Sequence, residues 1–445
     1  MTGIVFIVLA MVELAFASYF IVTTSAQPKA KSYARLIELV VFVALCILNI
    51  FEWGMRWYLF GTLLLVLALR AGYVLALKKK QAVPFRKSKV VLKAVGMVLI
   101  YAVVLIPSFL FPQYDVLKQT GEYGVATAEH TFTSDTIADY YSDGNRHVNV
   151  GFWYPSSADG KYPLVVFTHG AFGVRNSNLS LYEELASHGY VVCSIDHPGH
   201  SFFTKSEDGK ATIVDTAYMN EVLEGNTSYY TTAEYFDLIQ KWMKIRTEDI
   251  NLTLDTILQY AKDSDYANDT QAAALYKLID RDKIGVFGHS MGAAASVQIG
   301  RERQEVSAVI NIDGPYFSEI VYDANADEFV ASKEQYDTPV LNIYSDQVWV
   351  QLRDGTETGV YSGNKISDTI CTESYDVYLK GTKHLTLTDL ALVSPPLAYL
   401  LNGERSSVDV RESIALENRL ILEFFDAALK GEGKFSSAGV YEAGK

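Results

Sequence analysis

Lys283-Ile284-Gly285-Val286-Phe287-Gly288-His289-Ser290-Met291-Gly292-Ala293-Ala294-Ala295 is the stretch that decides how the rest of the chain reads. A short strand-like run, 283–287, meets Gly-x-Ser-x-Gly and passes at once into a helical segment, 293–303. A strand that turns into a helix this tightly leaves no room for side chains on either flank, and the two glycines stand there. The serine hydroxyl then projects from the turn, with the helix N-terminus behind it to favour negative charge. The pattern predicts a nucleophilic serine on a strand–turn–helix.

Working outward, similar runs appear at 148–154, 164–168, 191–195, 308–312, 340–344 and 375–379. Most are continuously apolar, as strands covered on both faces are. Helical patterns at 181–188, 293–303 and 413–429 alternate with them. Strand–helix alternation predicts an α/β domain over 113–445, with a doubly wound, mostly parallel sheet. Between Pro198 and Asp282 the rhythm stops. That aromatic-rich interval, with helical patterns at 231–245 and 249–261, reads as a crossover or as a lid over 201–280.

An acyl-transfer serine needs a base, and the base needs an orienting carboxylate. On a strand–turn–helix serine the chain order is Ser, then Asp or Glu, then His. Of the eight histidines, His384 alone follows Ser290, in a loop just past the run 375–379. Asp313 and Asp346 both follow strand ends between the two, and spacing leaves the choice open. Two N–H groups must face the developing oxyanion. The residue after the nucleophile, Met291, supplies one, and Ala171 in His169-Gly170-Ala171-Phe172-Gly173 is the candidate for the other. His169 reads as a loop organiser. His197 and His200 have no cysteine or carboxylate cluster to complete a metal site, so neither metal nor organic cofactor is expected. Cys46, Cys193 and Cys371 are too few for a disulfide framework or a structural zinc site.

Charge divides the chain. Residues 1–112 carry a net +9 and the remainder a net −23, which disfavours nucleic acid as a partner. Four apolar stretches, about 3–23, 36–51, 57–77 and 90–111, predict a transmembrane region over 1–112, since a bilayer core takes about 20 helical residues. Basic residues between the first and second stretches (Lys29, Lys31, Arg35) and between the third and fourth (Lys78, Lys79, Lys80, Arg86, Lys87, Lys89) would face the cytoplasm. The domain after Phe111 would then lie on the extracytoplasmic side of a plasma membrane. Trp53, Trp57 and Tyr58 would sit at the outer interface.

Several stretches carry a family resemblance. They are Trp153-Tyr154-Pro155-Ser156, Pro163 to Gly170, Leu185-Ala186-Ser187-His188-Gly189-Tyr190, Ile279 to Ile284 leading into the serine turn, Ile312-Asp313 and Gly381-Thr382-Lys383-His384. In order and interval the chain resembles the plasma-type platelet-activating-factor acetylhydrolases of the α/β-hydrolase superfamily. The resemblance implies that Asp313 is the triad acid and Asp346 is not. The chain departs from it in the N-terminal region, in 201–280, and at Ala171, where the family pattern has leucine. The expectation is a membrane-anchored serine hydrolase of carboxylic esters, with a lipid or short-chain acyl ester as substrate and Ser290, His384 and Asp313 as triad. The alternative is a membrane sensor or scaffold whose hydrolase-like domain binds a ligand without turnover.

Overall fold

The computed structural model describes residues 1–24, 28–76, 85–156, 159–225, 227, 229–263, 270–354 and 359–442. They form two compact units, Met1–Asp115 with Leu392–Leu400, and Val116–Ala391 with Leu401–Lys445.

The first unit contains helices α1 (Thr2–Thr23), α2 (Pro28–Ile47), α3 (Met55–Ala76), α4 (Lys87–Val104) and the short α5 (Ile106–Leu110). Among the described residues two helices, α1 and α3, are long and apolar enough to cross a membrane, where the sequence reading expected four. The second helix begins at Pro28 rather than near residue 36, so Lys29, Lys31, Arg35 and Glu38 lie on it. The fourth stretch breaks after Val104, and Pro107 opens a separate turn. Hydropathy assigns charges to loops because it cannot see pairing. Here Glu13 is wholly buried against Lys31 Nζ (2.6 Å) and Arg35, and Arg35 also meets Glu38 (2.8 Å) and the Tyr101 hydroxyl.

The described residues lend no support to the expected orientation. Lys31 and Arg35, expected in a loop, lie on α2 and are ion-paired, and Lys78, Lys79 and Lys80 lie outside the described residues. Of the three aromatic residues expected at an outer interface, Trp53 and Tyr58 are exposed, while Trp57 is buried and stacked on Phe51 with ring centroids 4.6 Å apart. The outer surfaces of these helices present Ile4, Val22, Leu69 and Leu92. A buried ion cluster beneath an apolar exterior is the reverse of what a water-soluble bundle presents at its surface.

The second unit is built on strands β1 (Val125–Ala138), β2 (Asn145–Pro155) and β3 (Tyr162–Thr168), helix α6 (Leu179–Ser187) and strand β4 (Val191–Asp196). A small hairpin, β5 (Phe203–Lys205) and β6 (Ala211–Ile213), precedes α7 (Thr216–Gly225), α8 (Thr232–Lys262) and α9 (Thr270–Lys277). Then come β7 (Ile279–His289), α10 (Met291–Glu302), β8 (Val306–Ile312), a second hairpin β9 (Ile320–Asp323) and β10 (Glu328–Ala331), β11 (Val340–Tyr344), β12 (Ser374–Lys380) and β13 (Gly439–Glu442).

Nine strands pair in the order β1-β2-β4-β3-β7-β8-β11-β12-β13. β1 and β2 join antiparallel and the rest run parallel, so the sheet is mostly parallel with flanking helices. Alternation along a strand divides the core. Leu164 and Val166 enter the cluster under α8 and α10, whereas Val165 and Phe167 enter the one under α6 and the helix Val410–Phe425. The patterns 231–245 and 249–261 are one helix, α8, because Arg246-Thr247-Glu248 contains no breaker. It starts at a Thr231/Glu234 capping box and buries Ile239, Trp242, Met243, Ile250, Leu254 and Ile257. It leads from β4 back towards β7 and packs on the sheet and α10.

Candidate active site

β7 ends at His289 and α10 begins at Met291, which leaves Ser290 alone in the turn with φ 57° and ψ −124°. A non-glycine residue held there costs roughly 1–3 kcal/mol and must be over-determined by its surroundings. The surroundings are tight. The Ser290 N–H donates to the Ile312 carbonyl at 2.8 Å. A Cβ at Gly292 would stand 2.0 Å from the Thr168 oxygen, and one at Gly288 2.5 Å from the Gly292 carbonyl carbon. Both glycines are therefore required by close backbone approach.

Asp313 follows β8 with φ 56° and is wholly buried. It accepts from the Ser345 N–H (2.7 Å), from Ser345 Oγ (2.7 Å) and from His384 Nδ1 (2.7 Å). Three donors on one carboxylate fix its position. With Nδ1–H committed to Asp313, the other His384 nitrogen is free to accept a proton. His384 lies against the serine turn. The His289 ring packs on its ring with centroids 4.4 Å apart, and His289 Nε2–H donates to the His384 carbonyl at 3.0 Å. Burial, and then the neighbouring His384, hold His289 well below the ordinary imidazole range, so it is neutral. Gln347 Oε1 accepts the His384 N–H at 3.2 Å.

Asp346 is engaged elsewhere. It accepts from the Tyr378 hydroxyl (2.8 Å) and the Gly381 N–H (2.7 Å), and Lys383 Nζ lies 3.6 Å away. It braces the loop that carries His384 without meeting the imidazole. Ser345, Gln347 and His289 were not picked out from sequence. Ser345 was within reach, because the parallel register Ile343↔Ile312 sets the residues just beyond β8 and β11 side by side.

The segment 169–173 lies against the serine, since a Cβ at Gly170 would be 3.1 Å from Ser290 Cβ. His169 Nδ1–H donates to Gly170 O (2.7 Å), and its Nε2 accepts from Ser201 Oγ (2.7 Å). His197 and His200 use their ring nitrogens on protein groups. His197 joins Asp249 (2.8 Å) to Thr168 Oγ1 (2.6 Å), and His200 joins Arg246 (3.0 Å) to Tyr141 (2.7 Å). Burial, with Arg246 nearby, lowers His197 to about 3. Asp249 falls to about 2: burial opposes its charge, but the Arg146 guanidinium beside it outweighs that.

Glu417, on the helix Val410–Phe425, is also buried, and neither carboxyl oxygen has a hydrogen-bond partner among the described residues. Burial first, then the charges of Asp389 and Asp313, raise it well above the usual carboxylate range. The folded protein thus keeps a proton that the unfolded chain releases above about pH 4.3. That contribution is complete below the unfolded value and is lost as pH rises towards the folded one. Glu417→Gln should therefore gain on wild type by up to ~1.4 kcal/mol for each pH unit above that point. Denaturant melts at pH 5 and pH 8 check this, and an equal shift at both would refute it.

Similarity to known proteins agrees with this architecture. Residues 125–439 match the sequence profile of the family "Platelet-activating factor acetylhydrolase, isoform II". The chain is 25% identical over 285 residues to a platelet-activating factor acetylhydrolase of Bos taurus, covering 60% of this chain and 57% of that one. It is 24% identical over 282 residues to the enzyme of the same name from Canis lupus familiaris, again covering 60% and 57%. The match thus spans under two thirds of these relatives' length. A ferulic acid esterase from Streptomyces cinnamoneus shares the fold, with a TM-score of 0.53 at 21% identity over 71% of this chain and 93% of that one. With a profile match running from the first strand of the sheet to the last, the chain belongs to the platelet-activating factor acetylhydrolase, isoform II, family.

Proposed function

We propose that the chain hydrolyses carboxylic esters through an acyl-enzyme on Ser290. His384 Nε2 takes the hydroxyl proton as Ser290 attacks the carbonyl, then returns it to the leaving alcohol. Asp313 fixes the tautomer and offsets the imidazolium charge. The Ala171 and Met291 N–H groups receive the oxyanion, and water, deprotonated by His384, releases the acyl group. The observation that carries this reading is the 2.7 Å contact between His384 Nδ1 and a buried Asp313 beside the serine turn. The substrate is a lipid or short-chain acyl ester, a class in keeping with the names of the curated relatives. The first unit anchors the enzyme in a membrane through α1 and α3, an assignment supported by its apolar exterior.

A fluorophosphonate probe and a p-nitrophenyl ester series from acetyl to palmitoyl test the reading together. One probe per chain should attach at Ser290, and labelled protein should lose at least 90% of its turnover, on the order expected when a triad nucleophile is blocked. Turnover that survives complete labelling, or attachment at another residue, would sink it.

A further inference from the structure

We infer that Arg246 is a positioning residue for ester hydrolysis: its guanidinium pins the Gly170 carbonyl and so aims the Ala171 N–H at the oxyanion. The inference rests on the Ser290 reading above and adds to it a residue 77 positions from the loop it would control.

Arg246 sits midway along α8 and is wholly buried. Its Nη1 donates to His169 O at 2.7 Å, its Nη2 to Gly170 O at 3.3 Å, and its Nε to His200 Nδ1 at 3.0 Å. A peptide unit is planar and trans, so its C=O and N–H point in opposite directions. Gly170 O and Ala171 N belong to one such unit. Holding the oxygen therefore sets the direction of the hydrogen. Three donors hold that oxygen: Arg246 Nη2, His169 Nδ1 at 2.7 Å and the Gly173 N–H at 3.1 Å. Carbonyl hydrogen bonds also polarise the peptide and strengthen the N–H as a donor.

Charge adds to geometry. Arginine stays protonated in a protein interior. Among the described residues no carboxylate pairs with Arg246. Asp249, one turn further on, is taken by Arg146 (2.8 and 2.7 Å) and by His197. The partners of Arg246 are two carbonyls, a neutral imidazole, since Nδ1 of His200 accepts, and the Tyr218 hydroxyl. Its positive charge therefore remains available to the loop, where a fixed cation favours a developing oxyanion. The same contacts extend to the second donor. His200 stacks on Tyr218 with centroids 3.7 Å apart, and the Tyr218 hydroxyl donates to Met291 Sδ at 3.2 Å.

A residue that merely held α8 in place would change the amount of folded enzyme and leave each active site alone. Arg246→Lys and Arg246→Gln separate the two roles, measured on the full chain with active sites titrated by fluorophosphonate. The expected result is a fall in kcat per titrated site of about 10–100-fold with KM within threefold. Affinity for an alkyl boronic acid, which forms a tetrahedral anion on the serine, should weaken in parallel. Lysine should retain more activity than glutamine. A kcat per site within threefold of wild type in both variants overturns the inference. Should neither variant fold, a crystal structure of the wild-type boronate adduct decides it. Ala171 N must bond the boronate oxygen while Arg246 holds Gly170 O, and any other donor in that place overturns it. Ser290→Ala keeps the two readings apart, because persistent turnover there removes the nucleophile assignment, whereas loss there with kcat per site within threefold of wild type in both Arg246 variants removes only the present inference.

Discussion

Ser290→Ala is expected to abolish ester turnover while leaving the fold intact. Loss of the nucleophile from a Ser-His-Asp set costs on the order of 10⁶-fold in kcat in a serine protease, and what remains comes from the oxyanion donors and binding alone. The fold should survive because alanine keeps the Cβ that the turn already accommodates at φ 57°. The constraints on the turn come from Gly288, Gly292 and the N–H bond to Ile312, and none involves the hydroxyl. Melting temperature and ester hydrolysis, measured on the same preparation, check both halves. Activity within tenfold of wild type would remove Ser290 from the mechanism.

Asp313→Asn should lower kcat by at least 10²–10³-fold, against about 10⁴-fold for the corresponding change in a serine protease. The carboxylate serves three donors, Ser345 N–H, Ser345 Oγ–H and His384 Nδ1–H. An amide offers one acceptor oxygen and an NH₂ with two donor hydrogens in their place. If its oxygen stays with the Ser345 N–H, its NH₂ faces His384 Nδ1 and drives the imidazole to the other tautomer. Nε2 then carries a hydrogen and cannot accept the serine proton. Asp346→Asn loses only a brace of the 380–383 loop and should stay within about tenfold, the scale of an outer hydrogen-bond partner. Steady-state kinetics on folded samples distinguish them. A more damaging Asp346→Asn would move the orienting acid to the later strand.

Much of the second unit was legible because its signals are local. Buried parallel strands appear as short apolar runs, and the runs at 164–168, 191–195, 308–312 and 340–344 lie within β3, β4, β8 and β11. The edge strands β1 and β13 were missed. β1 pairs on one side only and carries Thr127, Glu129, Thr131 and Thr133, so it has no apolar run to recognise. The N-terminal unit was read only in part, two of its four expected spans being long and apolar enough to cross a membrane among the described residues. Its apolar runs are plain, but the buried Glu13–Lys31–Arg35 cluster lets α2 carry charges that hydropathy places in a loop.

By itself the sequence determined the serine turn, the order Ser, Asp, His along the chain, and the alternation that makes a mostly parallel sheet. Each depends on backbone conformation or burial within a few residues, and amino-acid type reports those directly. Residue spacing left open which aspartate meets His384; the family resemblance pointed to Asp313, and the tertiary contact is with Asp313. β8 and β11 are adjacent strands in parallel register, so Asp313 and Asp346 leave the same edge of the sheet, and one strand spacing separates their reach. Tertiary structure also brought Arg246 to the carbonyls of His169 and Gly170. That contact requires a 31-residue helix to cross the sheet at one height and one rotation. No local pattern encodes either, because both are set by how Ile239, Trp242, Met243 and Ile250 pack against the core.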